Sequence, residues 1–205
     1  MGFFYRHLKK LHGDRGRGIF IKASQRYAEQ RGGRMALRAL RDGCDLNYMA
    51  YMAYGEWSYT LPHEGVEEEA DGDRIAVVSR CPWESAFSEM GLQECGAVYC
   101  AEIDRGLVRG FNPNLAFEVE SLLHDSDRCR LRFKNFGGAE VRPPQDGKRD
   151  WRYHCSHVYT TMREIVQATG FGDVMKDVDS DFSKAFGSDA RYGLTTPSVN
   201  FNLID

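Results

Sequence analysis

Glu67–Cys100, EEEADGDRIAVVSRCPWESAFSEMGLQECGAVYC, changes its structural period twice. It opens with an acidic run that ends at Asp71-Gly72. That dipeptide favours a two-residue hairpin turn, because both central positions need positive φ. Arg74 to Ser79 is rich in β-branched and small apolar residues and reads as the second strand of that hairpin. Pro82 suits the first turn of a helix, where its missing N–H is not needed. Trp83–Met90 has helical spacing, Gly91 ends it, and ECGAVYCAEID (94–104) forms the next helix. Two strands around a turn are thus followed directly by two helices.

The same logic extends outward. FNPN (111–114) is a turn, and LAFEVESLL (115–123) and RCRLRFKNF (128–136) read as strands joined by HDSD (124–127). Two hairpins that flank a helical insert can pair into one antiparallel sheet with helices over it, which is an α+β fold. Upstream, residues 3–12 suit a short helix and residues 18–40 a longer one. Gly32-Gly33 is a place for a kink or for the close approach of another backbone, and Gly43 is a stop. Asp45 can cap a further helix through YMAYMAY (48–54), and WSYTL (57–61) alternates like a strand. A polar loop over residues 137–150 leads to a helix over 151–169 and a partly helical tail from Val174. The reading is a single α+β domain over 1–205. It has a helical N-terminal part (1–55), a sheet with its two-helix insert (56–136) and C-terminal helices (150–205).

Composition narrows the function. The chain has 205 residues, 42% apolar and 28% charged, as expected for a globular protein with a substantial core. No run has the length of a membrane helix. The start, MGFFYRHLKK, lacks the apolar segment of a signal peptide, and Arg6 stands where myristoylation wants Ser or Thr. The expected location is cytoplasmic, with no membrane partner. Residues 1–43 hold eleven Lys/Arg and three Asp/Glu, a balance of +8 in a chain of net charge −3, so the remainder carries −11. No nucleic-acid motif accompanies these basic residues. They are expected to dock on the acidic body or to form a solvated helix face, and nucleic acid is not an expected partner. A homo-oligomer is compatible with the sequence.

Four of the six cysteines, Cys81, Cys95, Cys100 and Cys129, fall within or beside the insert. In a reducing compartment they are thiols or ligands rather than disulfides. Together they are a candidate metal set, for a zinc ion or an iron–sulfur cluster. The spacing lacks the closely spaced pairs of zinc ribbons. On an ideal helix Cys95 and Cys100 point roughly 140° apart, so ligation by all four needs a local exception. As nucleophiles, Cys81 and Cys95 lie near helix starts, where the dipole favours the thiolate. Cys100 has Asp104 one turn on, which raises its pKa but offers a base to whatever Cys100 faces. All four also fit as small core residues. HCSH (154–157) places His154 and His157 on one helix face, a weak metal signal, and Asp125 and Asp127 beside His124 suit turn chemistry.

The pattern Cys81-Pro82, Gly91, Cys95, Tyr99-Cys100, Asp104, Asn112-Pro113, Asp127 and Cys129 resembles the L-2-amino-thiazoline-4-carboxylic acid hydrolase family, most closely over residues 80–136. Ser126-Asp127 departs from the Gly-Asp common in that family's hairpin. The ending around Cys129 is also similar to the 4-vinyl reductase small-molecule-binding domain. The resemblance implies hydrolytic opening of a small cyclic C–N or C–S compound. Cys100, Asp104 and Asp127 are then the candidate catalytic residues, and Cys81, Cys95, Cys100 and Cys129 line or ligate the centre. A carboxylate-bearing substrate needs an arginine fork, for which Arg80, Arg105, Arg109 and Arg130 are at hand. The alternative is a non-enzymatic, sensor-like module that binds a small molecule, a metal or an iron–sulfur cluster.

Overall fold

The computed structural model describes residues 1–58, 62–144, 147–192, 194 and 199–204. Its elements are α1 (Gly2–Arg41), α2 (Tyr48–Ala53), β1 (Glu64–Ala70), β2 (Asp73–Arg80), α3 (Pro82–Glu89), α4 (Gln93–Phe111), β3 (Phe117–Ser121) and β4 (Cys129–Phe133), then α5 (Trp151–Ala168), a 3-10 turn (Gly172–Val174), α6 (Met175–Phe186) and α7 (Ser188–Tyr192). The α+β expectation holds. The four strands form one antiparallel sheet in the order β1-β2-β4-β3. The α3–α4 insert leaves from β2, and β4 returns to pair with it, so that Val78 faces Cys129.

The two expected N-terminal helices meet within α1 at Gly13, whose backbone is non-helical (φ 56°, ψ −131°). Of the two roles expected for Gly32-Gly33, the close approach of another backbone holds, since a Cβ on Gly32 would sit 2.0 Å from the Leu107 carbonyl oxygen of α4. Gly110 answers from α4, its Cβ position being 2.3 Å from the Glu29 carbonyl oxygen. The two helices cross backbone to backbone, which only glycine permits. Asn47, not Asp45, caps α2, through its side chain and the Ala50 amide. Of WSYTL, residues 59–61 lie outside the described set, and Trp57 and Ser58 are not strand.

Strand alternation gives the sheet two different faces. Ala76, Val78, Cys129, Leu131 and Phe133 line an interior cavity. Ile75 and Val77 lie on the other face, yet are 1% and 2% exposed. Long charged side chains shield that face. Arg130 bonds Glu120 and Glu68, Arg132 bonds Glu120 and Asp73, and Lys134 bonds Glu118. Their aliphatic stems cover apolar surface while the charged ends stay in water.

Candidate active site

The cavity has a volume of about 380 Å³, enough for a small organic molecule. The inner sheet face forms one wall. Tyr99, Cys100, Ile103, Asp104 and Leu107 of α4 form another, and Arg31 and Met35 of α1 close the far side. α4 can present this row because its positions recur at helical spacing on one face. Trp57 and Trp83 also line the space. Their rings are 5.4 Å apart and Trp151 packs on both, so the chain's three tryptophans form one cluster beside the cavity.

Behind this wall lies a buried charge network. Glu56 is fully buried and accepts a two-point fork from Arg34 (2.9 and 2.7 Å) and a further bond from Arg38 (2.8 Å). Burial alone would raise the carboxyl's pKa, but the arginines hold it below the ordinary range. Arg31 lies farther off, its Nε 3.7 Å from Glu56, with its guanidinium over the Trp57 ring at 5.1 Å. From the other side, His154 stacks on Trp57 at 3.7 Å with its Nε2 3.4 Å from the Glu56 carbonyl oxygen, and the Arg149 amide donates to that same oxygen. The network thereby ties the Glu56-Trp57 segment to α1 and α5.

His157 belongs to the same layer and its tautomer follows from its partners. Its Nε2 lies 3.0 Å from Gln30 Oε1, which also accepts from Thr161, so Nε2 carries the proton. Its Nδ1 lies 3.4 Å from an Arg34 nitrogen and must accept. Burial first, and the arginines next, push its pKa well below the ordinary value. His154 is pushed down to about 3 by burial and then by Arg31. Both imidazoles are neutral structural groups, not a metal pair.

The titratable group on the chemical wall is Asp104. Burial raises its pKa to about 6, against the opposing pull of Arg31. Cys100, one helical turn before it, is pushed far up by burial and then by Asp104. Burial likewise raises Cys129 to about 12, with Asp104 as the next cause. Cys81 immediately precedes α3, and the Glu84 and Trp83 amides favour its thiolate, but burial outweighs them and its pKa also rises. At neutral pH the lining cysteines are thiols. His124 joins them with a lowered pKa caused by burial, and its Nε2 has no hydrogen-bond partner among the described residues.

The sequence-derived candidates therefore divide. Cys81, Cys100, Cys129 and Asp104 line one cavity. Cys95 packs instead in the helical core, 1% exposed, with a thiol raised to about 12 by burial. Asp127 sits on the β3–β4 connection with a side chain 89% exposed, within ion-pair distance of Arg128. Among the described residues, no three His, Cys, Asp or Glu side chains come together in a way that could hold a metal ion. The four thiols do not form a donor set for zinc or a cluster among the described residues, because Cys95 packs in the helical core and the other three do not come together as ligands.

The four arginines read as carboxylate anchors lie elsewhere. Arg80 pairs with Glu64, Arg109 with Glu29, and Arg130 with Glu120 and Glu68, while Arg105 donates to the Ala101 carbonyl. Arg31, Arg34 and Arg38 belong to the basic arm, for which the sequence offers docking on the body or a solvated face. All three are buried, at 3%, 0% and 1% exposed, so docking on the body is the form this arm takes. Their i, i+3, i+7 spacing was the available signal, since it places three cations on the face that also carries Met35 and Ala28. Glu56, Trp57 and Trp83 gave no such signal, because their roles arise from contacts distant in sequence.

Comparison with known proteins adds one match. The model of the family described as L-2-amino-thiazoline-4-carboxylic acid hydrolase matches residues 1–133, which include α1, the sheet and the whole cavity wall from α4. No curated protein and no solved structure matches the chain. Among the described residues no helix is long and apolar enough to cross a membrane.

Proposed function

The chain belongs to the L-2-amino-thiazoline-4-carboxylic acid hydrolase family, whose model covers more than half of it, and from that premise we propose that it hydrolyses a small cyclic C–N or C–S compound bound in the cavity, with Asp104 moving the proton. The observation that carries this reading is the position of Asp104, a carboxyl on the wall of an otherwise mostly apolar, aromatic-lined cavity, held near pKa 6. A group with that pKa is largely ionised at neutral pH yet still a competent acid once protonated, which suits general acid–base work.

Water is the nucleophile that fits the wall. The neighbouring thiols are held in their protonated form by burial and by Asp104, and the thiol is a far weaker nucleophile than the thiolate. In the step we propose, the oxygen of water bonds to the amidine-type ring carbon and Asp104 accepts one of its protons. The ring C–S or C–N bond then breaks with its electron pair, and the proton passes from Asp104 to the departing sulfur or nitrogen. Cys81, Cys100 and Cys129 shape the wall and keep it poorly hydrated, which strengthens the effect of Asp104 on the reacting atoms.

The test is turnover on a panel of cyclic isothioureas, amidines and lactams, followed by mass spectrometry for addition of one water. Ring opening should rise with pH through an inflection near 6 and fall at least about 100-fold in Asp104→Asn. Cys100→Ala should retain most of the activity. An absence of turnover across the panel from folded protein would overturn the enzymatic reading in favour of a binding module. Activity that survives in Asp104→Asn would remove Asp104 from the mechanism.

A further inference from the structure

Of the three buried arginines, Arg31 alone lines the cavity and makes no hydrogen bond to Glu56 among the described residues. It is 3% exposed and lines the cavity. Its Nε is a buried donor with no hydrogen-bond partner among the described residues, and Glu56 is 3.7 Å away, beyond hydrogen-bonding distance. Glu56 is already saturated by the Arg34 fork and by Arg38. Leaving a buried donor unmade is costly, so such a group calls for a partner that arrives separately. Around Glu56 three buried guanidiniums, Arg31, Arg34 and Arg38, share one carboxylate. Arg34 and Arg38 stand behind the wall, and Arg31 is the one of the three that lines the cavity.

The surroundings specify the shape of the missing anion. The Arg31 guanidinium lies over Trp57 at 5.1 Å and over Tyr27 at 5.6 Å, so aromatic faces hold its plane. A guanidinium fixed in this way offers a flat edge with two parallel donors, the geometry that a carboxylate matches at two points. Trp57 and Trp83 line the cavity beside it. We propose that Arg31 is the specificity-determining residue of this cavity, and that it binds the carboxylate of a small planar heterocyclic acid whose ring lies against Trp57 and Trp83. This assignment rests on the cavity being the active site, but it concerns recognition alone and does not need the ligand to react.

The experiment therefore uses inert probes. Thiophene-2-carboxylate and thiophene-2-carboxamide are titrated into the full chain, with tryptophan fluorescence as the readout, because all three tryptophans lie in the cluster at the cavity. The acid should bind the wild type at least ten-fold more tightly than the amide. Arg31→Gln should erase that difference by weakening the acid alone. Arg34 and Arg38 still hold Glu56 in this variant, so its thermal midpoint should stay close to wild type. Arg31→Lys keeps the charge without the fork and should bind the acid with intermediate affinity. Equal binding of acid and amide by the wild type would overturn the proposal, as would discrimination that persists in Arg31→Gln. Neither result depends on turnover, so the anchor can fail while the hydrolase reading stands, and the reverse.

Discussion

Arg34 and Glu56 meet edge to edge with no solvent at either side chain, Arg34 Nε lying 2.9 Å from one carboxylate oxygen and a terminal nitrogen 2.7 Å from the other. This pair joins the middle of α1 to the segment that carries Trp57 into the cavity. It also explains why a chain with a basic N-terminal part buries so many of its cations there. Breaking one side of a buried pair strands the other charge, at a cost of roughly 3–5 kcal/mol. Glu56→Ala should lower the thermal midpoint by on the order of 10 °C in a chain of this size. A shift of only a degree or two in calorimetry would show that the guanidiniums find water or another anion instead.

Asp104 should destabilise the fold it serves. Its pKa is about 6 in the folded protein and near 3.8 when unfolded, so the folded state binds the extra proton between those values. Its contribution is most favourable below pH 3.8 and is lost as pH rises through 6. The cost at pH 8 is about 3 kcal/mol, at 1.36 kcal/mol for each pKa unit. Asp104→Asn should therefore raise stability towards denaturant at pH 8, leave it little changed near pH 4, and abolish activity. A variant that is less stable at pH 8 would contradict the burial argument.

The buried histidines act in the opposite sense. His154 accepts a proton only near pH 3 when folded, and His157 is also well depressed. The unfolded chain protonates both near 6.5, so stability should fall as pH drops from 6.5 towards 3. Denaturant midpoints between pH 7 and 5, measured in an Asp104→Asn background to remove the opposing carboxyl, should decline. The decline should be shallower when His154→Phe is added. Identical slopes in the two proteins would show that His154 is protonated in the folded state.

The crossing of α1 on α4 makes a paired prediction. Gly32→Ala would place a methyl group 2.0 Å from the Leu107 carbonyl oxygen and must push the helices apart. Overpacking of this kind costs typically about 1–3 kcal/mol. At Gly33 the nearest atom to a new methyl is 3.9 Å away. Gly33→Ala should therefore stabilise α1 by up to about 1 kcal/mol through helix propensity. The two substitutions should move the denaturation midpoint in opposite directions, and movement in the same direction would refute the close-contact geometry.

Local periodicity set out the elements of this protein without any coordinates. Asp71-Gly72 gives a turn with φ of 56° and 79°, Pro82 opens α3, and Gly91 closes it at φ 65°. These features depend on neighbours in the chain, and each carries its own steric signature. Tertiary structure alone decided which side chains share the cavity. The pairing of β4 with β2 draws Cys129 towards Cys81 and Cys100, while the turn of α4 sends Cys95 into the helical core. It also decided between the docked and the solvated reading of the basic arm, by burying three of its arginines in a layer around Glu56. A sequence records that a cation is present, but its environment depends on residues far along the chain. Burial then sets whether a carboxyl such as Asp104 holds its proton, because the surrounding dielectric, not the residue type, fixes the cost of its charge.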